Sequence, residues 1–236
     1  MPAEIFGESY EFLPKEEILS FEEITFLVSI FVELGVEKIR ITGGEPLMRN
    51  NLQHLVFLLN AVSGIKDLTL TTNGYLLEQQ AEALKKSGLS RITVSLDTLD
   101  DELFKTMNGR GFDTQRVLAG IESARQAGLS PIKINSVVQK DVNDHTIVDL
   151  ARHFKGTGMI VRFIEYMDVG NLNSWKLNEV VPASEILEKI DTELPLEPLS
   201  PNYSGEVASR YKYKDGSGEI GIISSVSQPF CGQCTR

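Results

Sequence analysis

Cysteine is nearly absent. The chain has two, Cys231 and Cys234, in 236 residues, too few for a disulfide framework, and this fits an intracellular, cytoplasmic setting. Apolar runs long enough to cross a bilayer are missing. The N-terminal stretch is broken by Glu4, Glu8 and Glu11, which argues against a secretory signal. Bases are outnumbered, 23 to 33, for a formal charge of −10. Such a surface repels phosphate backbones, so no nucleic-acid partner is expected, although a local basic pocket stays open. The three histidines, His54, His145 and His153, sit in helical patterns or their flanks and are expected to be packing or surface residues. An apolar share of 42% with 24% charge excludes intrinsic disorder and supports a full core.

The remaining residues alternate between short β-branched runs and amphipathic stretches. Ser20 and Glu23 form a capping-box pair ahead of an apolar helical stripe, predicting a helix over 21–34 and then a strand over 38–42. The unit recurs as helix 52–62 and strand 68–71, helix 76–86 and strand 92–96, helices 102–107 and 114–126 and strand 132–137, helix 144–154 and strand 160–164. Gly64, Gly88 and Gly128 stand between helix and strand, where a left-handed cap is needed. Beyond residue 171 the pattern changes: a proline-rich stretch carries one helix over 184–190, and 207–213 with 219–223 reads as a hairpin around Asp215-Gly216-Ser217-Gly218.

Helical spacers between strands argue for parallel pairing. Parallel strands covered on both faces read as continuous apolar runs, whereas Ile39 and Ile41 alternate with Lys38, Arg40 and Thr42, and Ile132 and Ile134 with Lys133 and Asn135. The polar face is therefore expected to line something wet or ligand-filled. The fold class that follows is α/β, an incomplete (β/α) TIM-type barrel plus a C-terminal β-hairpin appendage, with residues 1–170 as core and 171–236 as a barrel-closing segment.

Strand ends in such barrels carry the site. Here they are Thr42-Gly43-Gly44-Glu45-Pro46, Thr71-Thr72-Asn73-Gly74, Ser95-Leu96-Asp97 and Glu165-Tyr166-Met167-Asp168. The glycines admit a ligand close to backbone, and Glu45 offers a carboxylate to an amine or hydroxyls. Asp97 is as readily a loop cap as a ligand. Cys231 and Cys234 by spacing alone are half a zinc site, a redox pair or part of an iron–sulfur site.

These loops, with Lys38-Ile39-Arg40-Ile41-Thr42, Arg162-Phe163-Ile164-Glu165-Tyr166-Met167 and Phe230-Cys231-Gly232-Gln233-Cys234-Thr235-Arg236, resemble the GTP 3′,8-cyclase family of radical S-adenosylmethionine enzymes. That family begins molybdenum cofactor (molybdopterin) biosynthesis, and the resemblance runs over essentially the whole chain. It implies a lyase converting GTP to (8S)-3′,8-cyclo-7,8-dihydroguanosine 5′-triphosphate, with S-adenosylmethionine, an electron donor and two [4Fe–4S] clusters, each on three cysteines. One cluster cleaves S-adenosylmethionine reductively and the other holds guanine; the 5′-deoxyadenosyl radical takes the ribose 3′ hydrogen, and the sugar radical adds to C8. No side chain of this chain is implied as catalytic, since the cofactors carry the chemistry.

By position, the resemblance places Gly44, Glu45, Ser95 and Met167 on S-adenosylmethionine, and Cys231 and Cys234 on the substrate cluster. It places Arg40, Thr71, Lys133 and Arg236 on GTP, with Lys38 and Arg162 on its triphosphate. The family's C-x3-C-x2-C loop is expected just before Met1, the third cysteine of the substrate cluster beyond Arg236, and a further GTP-contacting arginine on the N-terminal side. The 236 residues thus read as the enzyme's interior, expected to lack cyclase activity alone. A homodimer is one state the sequence allows. Two other readings of the residues stand beside the resemblance: an iron-free barrel enzyme acting on a phosphorylated metabolite, and a binding module with a zinc knuckle at Cys231 and Cys234.

Overall fold

A computed structural model of the chain describes residues 14, 17–109, 111–167, 175–203, 205–229 and 232. The elements in order are α1 (Phe21–Glu33), β1 (Lys38–Ile41), α2 (Leu52–Asn60), β2 (Asp67–Thr72), α3 (Leu77–Lys86), β3 (Arg91–Ser95), α4 (Asp101–Asn108), α5 (Thr114–Gln126), β4 (Ile132–Val138), α6 (Ile147–Phe154), β5 (Ile160–Glu165), α7 (Ala183–Glu193), β6 (Leu196–Leu199), β7 (Ser209–Tyr213) and β8 (Glu219–Ile223). The chain packs as two compact units, Met1–Val94 with Gln115–Ile132, and Ser95–Thr114 with Lys133–Arg236.

In the first unit, Ser20 Oγ accepts from the Glu23 amide at 3.1 Å and Glu23 Oε2 accepts from the Ser20 amide at 2.7 Å, completing the capping box that starts α1. Strand β1 pairs parallel with β2, Lys38 opposite Asp67, and β2 pairs parallel with β3, Thr71 opposite Thr93. Gly64, Gly88 and Gly128 adopt φ of +107°, +105° and +80°, as the helix ends require. The polar face is drier than its sequence suggests. Thr69 and Thr93 are as fully buried as Leu70 and Ile92, and Thr69 Oγ1 donates to the Arg91 carbonyl at 3.2 Å. Threonine tolerates this because its hydroxyl finds a backbone partner.

The second unit has strand order β4-β5-β8-β7-β6. Strand β4 splits its faces cleanly: Ile132, Ile134, Ser136 and Val138 are buried, while Lys133, Asn135 and Val137 are partly exposed. It pairs parallel with β5, Asn135 opposite Arg162. The 207–213/219–223 hairpin forms with antiparallel register, but its second strand is more than an appendage, because β8 also pairs parallel with β5, Arg162 opposite Gly221. A third strand, β6, emerges from the proline-rich stretch and pairs antiparallel with β7. Pro198 is tolerated there because β6 ends the strand order. Helix α6 starts at Ile147 rather than at 144. Asp144 instead accepts from the Asp141 amide at 3.0 Å and from Lys189 Nζ at 2.9 Å, which holds it in the preceding turn. Among the described residues no helix is long and apolar enough to cross a membrane.

Candidate functional site

Strand β1 runs into the exposed segment Thr42-Gly43-Gly44. Gly43 has φ +142°, and nothing lies within 4 Å of where its Cβ would be. Backbone is therefore bare toward open space, which leaves room for close approach of a ligand at this turn. Glu45 behind it is occupied. Its Oε1 accepts from Thr72 Oγ1 at 2.6 Å and from the Leu47 amide at 3.0 Å, and its Oε2 accepts from the Asn73 amide at 2.7 Å. The carboxylate thus fastens the loop after β1 to the loop after β2. Thr72 Oγ1 in turn accepts from the Gly74 amide at 3.0 Å.

Arg40 and Thr71, both expected as ligand-binding positions, are in contact: Arg40 Nη1 donates to Thr71 Oγ1 at 2.7 Å. Lys38, at the opening of β1, pairs with Asp67 at 3.5 Å, and Asp67 takes a two-pronged contact from Arg91 at 2.9 and 2.6 Å. Burial pushes the Asp67 carboxyl up, but Arg91 and Lys38 outweigh it and hold the group below its ordinary range.

In the second unit, Ser95 closes β3, partly exposed. Asp97 Oδ1 accepts from the Val137 amide at 2.8 Å, while the Asp97 carbonyl accepts from Ser136 Oγ at 3.1 Å and Asn143 Nδ2 at 2.9 Å. Burial pushes the Asp97 carboxyl up to about 6. Asp97 is thus a strut between loop and strand. Lys133 and Asn135 share one face of β4, and Arg162, 8% exposed, donates through Nε to Asn135 Oδ1 at 2.9 Å. Glu165 is fully buried and accepts from the amides of Ala183 (2.7 Å), Val226 (2.7 Å) and Ser227 (2.8 Å) and from Ser227 Oγ. Burial pushes Glu165 up; these bonds outweigh it and leave the carboxyl below its usual range. Met167, two residues on, is 41% exposed. A polar cavity of about 550 Å³ lies among Glu206, Ser209, Ser224, Gln228 and Gly232.

Cys231, Cys234 and Arg236 lie outside the described residues. Among the described residues no three His, Cys, Asp or Glu side chains gather as a metal site. The histidines pack as expected where contacts are seen, His54 against Phe21 and Phe57, His153 against Phe154. Residues that the motifs did not single out hold the site together: Asn135 on Arg162, Asn143 beneath Asp97, and Ser227 on Glu165. Asn143 sits in Asp141-Val142-Asn143-Asp144, which reads as any polar turn, so only its complete burial sets it apart.

The radical SAM superfamily model matches residues 5–154 and the molybdenum cofactor synthesis C model residues 159–236. The chain is 50% identical over all 236 residues to the GTP 3′,8-cyclases of Acidothermus cellulolyticus and Xanthomonas campestris pv. campestris, covering 65% and 69% of their lengths. It is 47% identical to that of Staphylococcus saprophyticus, covering 69% of it. The chain thus spans about two thirds of the length of these relatives. Among solved structures it resembles Streptococcus suis SuiB bound to S-adenosylmethionine (TM-score 0.62, 21% identity, 78% of this chain and 41% of that one) and the [FeFe]-hydrogenase maturase HydG (TM-score 0.59, 15% identity, 80% and 45%). That likeness concerns the fold, which is α/β with the parallel strands of a partial TIM-type barrel and antiparallel C-terminal strands.

Proposed function

Because this chain belongs to the GTP 3′,8-cyclase family of the radical SAM superfamily, whose members act in molybdenum cofactor biosynthesis, we propose that the whole protein is a cytoplasmic lyase converting GTP to (8S)-3′,8-cyclo-7,8-dihydroguanosine 5′-triphosphate. S-adenosylmethionine, with a reduced [4Fe–4S] cluster fed by an electron donor, supplies when bound the radical chemistry that removes the ribose 3′ hydrogen. This chain's residues supply placement. The Gly44 backbone would meet the methionine end of S-adenosylmethionine, Ser95 its ribose or carboxylate region and Met167 its adenine side, with Glu45 keeping the glycine turn in register. Arg40, Thr71, Lys133 and Arg236 would hold GTP, Lys38 and Arg162 its triphosphate, and Cys231 and Cys234 the second [4Fe–4S] cluster. Residues 1–170 form the radical SAM core in this reading and 171–236 the segment bearing the substrate cluster.

The observation that carries the proposal is a set of cations on strand positions of a chain with net charge −10, one of them, Arg40, already hydrogen-bonded to a second GTP position, Thr71. Guanidinium groups on rigid strands suit a polyphosphate, because the planar fork loses little freedom on binding. Two cysteines cannot supply the six thiolates that two such clusters need, so the 236 residues alone are inactive. The test uses the full-length protein, anaerobically reconstituted, with dithionite, S-adenosylmethionine and GTP deuterated at C3′. Deuterium in the 5′-deoxyadenosine is the expected result; unlabelled 5′-deoxyadenosine rejects the proposal. The 236-residue chain in the same assay should yield no 5′-deoxyadenosine above a protein-free blank.

A further inference from the structure

We propose that Asn135 and Gly221 are positioning residues that aim Arg162 at the phosphates of GTP. The inference rests on the reading of Arg162 as a triphosphate contact and adds the device that orients it. Arg162 lies in the middle of β5, flanked by two parallel neighbours, with Asn135 of β4 opposite on one side and Gly221 of β8 opposite on the other. On the β4 side, Asn135 Oδ1 accepts from Arg162 Nε at 2.9 Å. That bond holds the guanidinium by its Nε edge and so sets the plane in which the group meets a phosphate. A neutral amide does this without placing a negative charge beside the anion.

On the β8 side the stem of the arginine crosses a strand with no side chain in its path. A Cβ at Gly221 would lie 3.1 Å from Arg162 Cγ, 3.6 Å from its Cδ and 3.3 Å from Ala208 Cβ. Gly221 is absent from the positive-φ residues, so glycine is not required there by backbone conformation. What it provides is room for the arginine stem. Arg162 is 8% exposed, and a buried stem tethered at Nε has little slack: a methyl group at 221 displaces the guanidinium rather than a loose chain end.

Calorimetric titration of the full-length reconstituted protein with GTP and with guanosine tests this. Gly221→Ala and Asn135→Ala are each expected to weaken GTP by about tenfold, the scale of one misplaced charge-assisted hydrogen bond, and to leave guanosine unchanged. In an Arg162→Ala background neither change should weaken GTP further, because the side chain they aim is gone. Equal losses for GTP and guanosine, or losses that add to that of Arg162→Ala, overturn the proposal as mere damage to the fold. A weakened Arg162→Ala beside unaffected Gly221→Ala and Asn135→Ala overturns the positioning role alone. Normal GTP affinity in Arg162→Ala removes the underlying phosphate contact instead.

Discussion

Glu45 and Thr72 are joined at 2.6 Å, hydroxyl to carboxylate, between the loop that follows β1 and the last residue of its parallel neighbour β2. The contact makes the glycine turn after β1 depend on β2. Thr72 is 2% exposed, so its oxygen has no water to fall back on.

Thr72→Val should therefore lower stability by about 1–3 kcal/mol, the cost of stranding buried partners, and weaken S-adenosylmethionine in the full-length protein. Thr72→Ser, which keeps the hydroxyl, should retain affinity. Urea unfolding and equilibrium binding read the two effects; a valine variant that binds normally would detach Glu45 from the cofactor turn.

Gly120→Ala in α5 should reverse the usual sign. In a helix interior this change ordinarily gains about 0.5–1 kcal/mol. Here the new Cβ would lie 2.8 Å from the Gly74 carbonyl oxygen and 3.0 Å from Leu77 Cβ, and backbone cannot swing aside. A net loss of about 1–3 kcal/mol by overpacking is expected in chemical denaturation; a gain would show that the helix has room to shift.

Asp97 gives a pH signature. Its carboxyl is pushed up to about 6 by burial, so the folded state binds a proton more tightly than the unfolded chain does. The associated stability is full below about pH 4 and is lost as pH rises through about 6. Asp97→Asn keeps an acceptor for the Val137 amide and removes the charge. Its melting temperature relative to the parent should climb between pH 4 and pH 7, and a flat difference would contradict the shift.

Ser20→Ala should cost about 0.5–2 kcal/mol through loss of the α1 cap, with Ser20→Thr close to the parent in thermal unfolding. Equal stability of all three would mean that α1 is held by packing alone.

The motifs locate the strand ends that carry Gly44, Ser95 and Met167, and period-two alternation separates Lys133 and Asn135 from Ile132 and Ile134, because those signals are local to a few residues. Strand β6 escaped the sequence reading because Pro195 and Pro198 argue against a strand unless it lies at an edge, and edge position is a property of the sheet. The second role of β8, parallel partner of β5, was equally hidden: a Gly-rich turn predicts the hairpin partner and says nothing about the other edge.

The sequence by itself determined the alternation of helices and parallel strands, the capped start of α1, the cations on the strands and the family. These depend on spacing along one chain and on side-chain chemistry. Tertiary structure alone decided that Glu45 spends its carboxylate on Thr72 and Asn73, that Thr69 and Thr93 are buried, and that Arg162 is clasped between Asn135 and Gly221. Each of those is a contact between residues at least 22 positions apart, or burial that arises only when strands meet. Hydrogen bonds of this kind are set by which strands become neighbours, and local pattern does not encode neighbourhood.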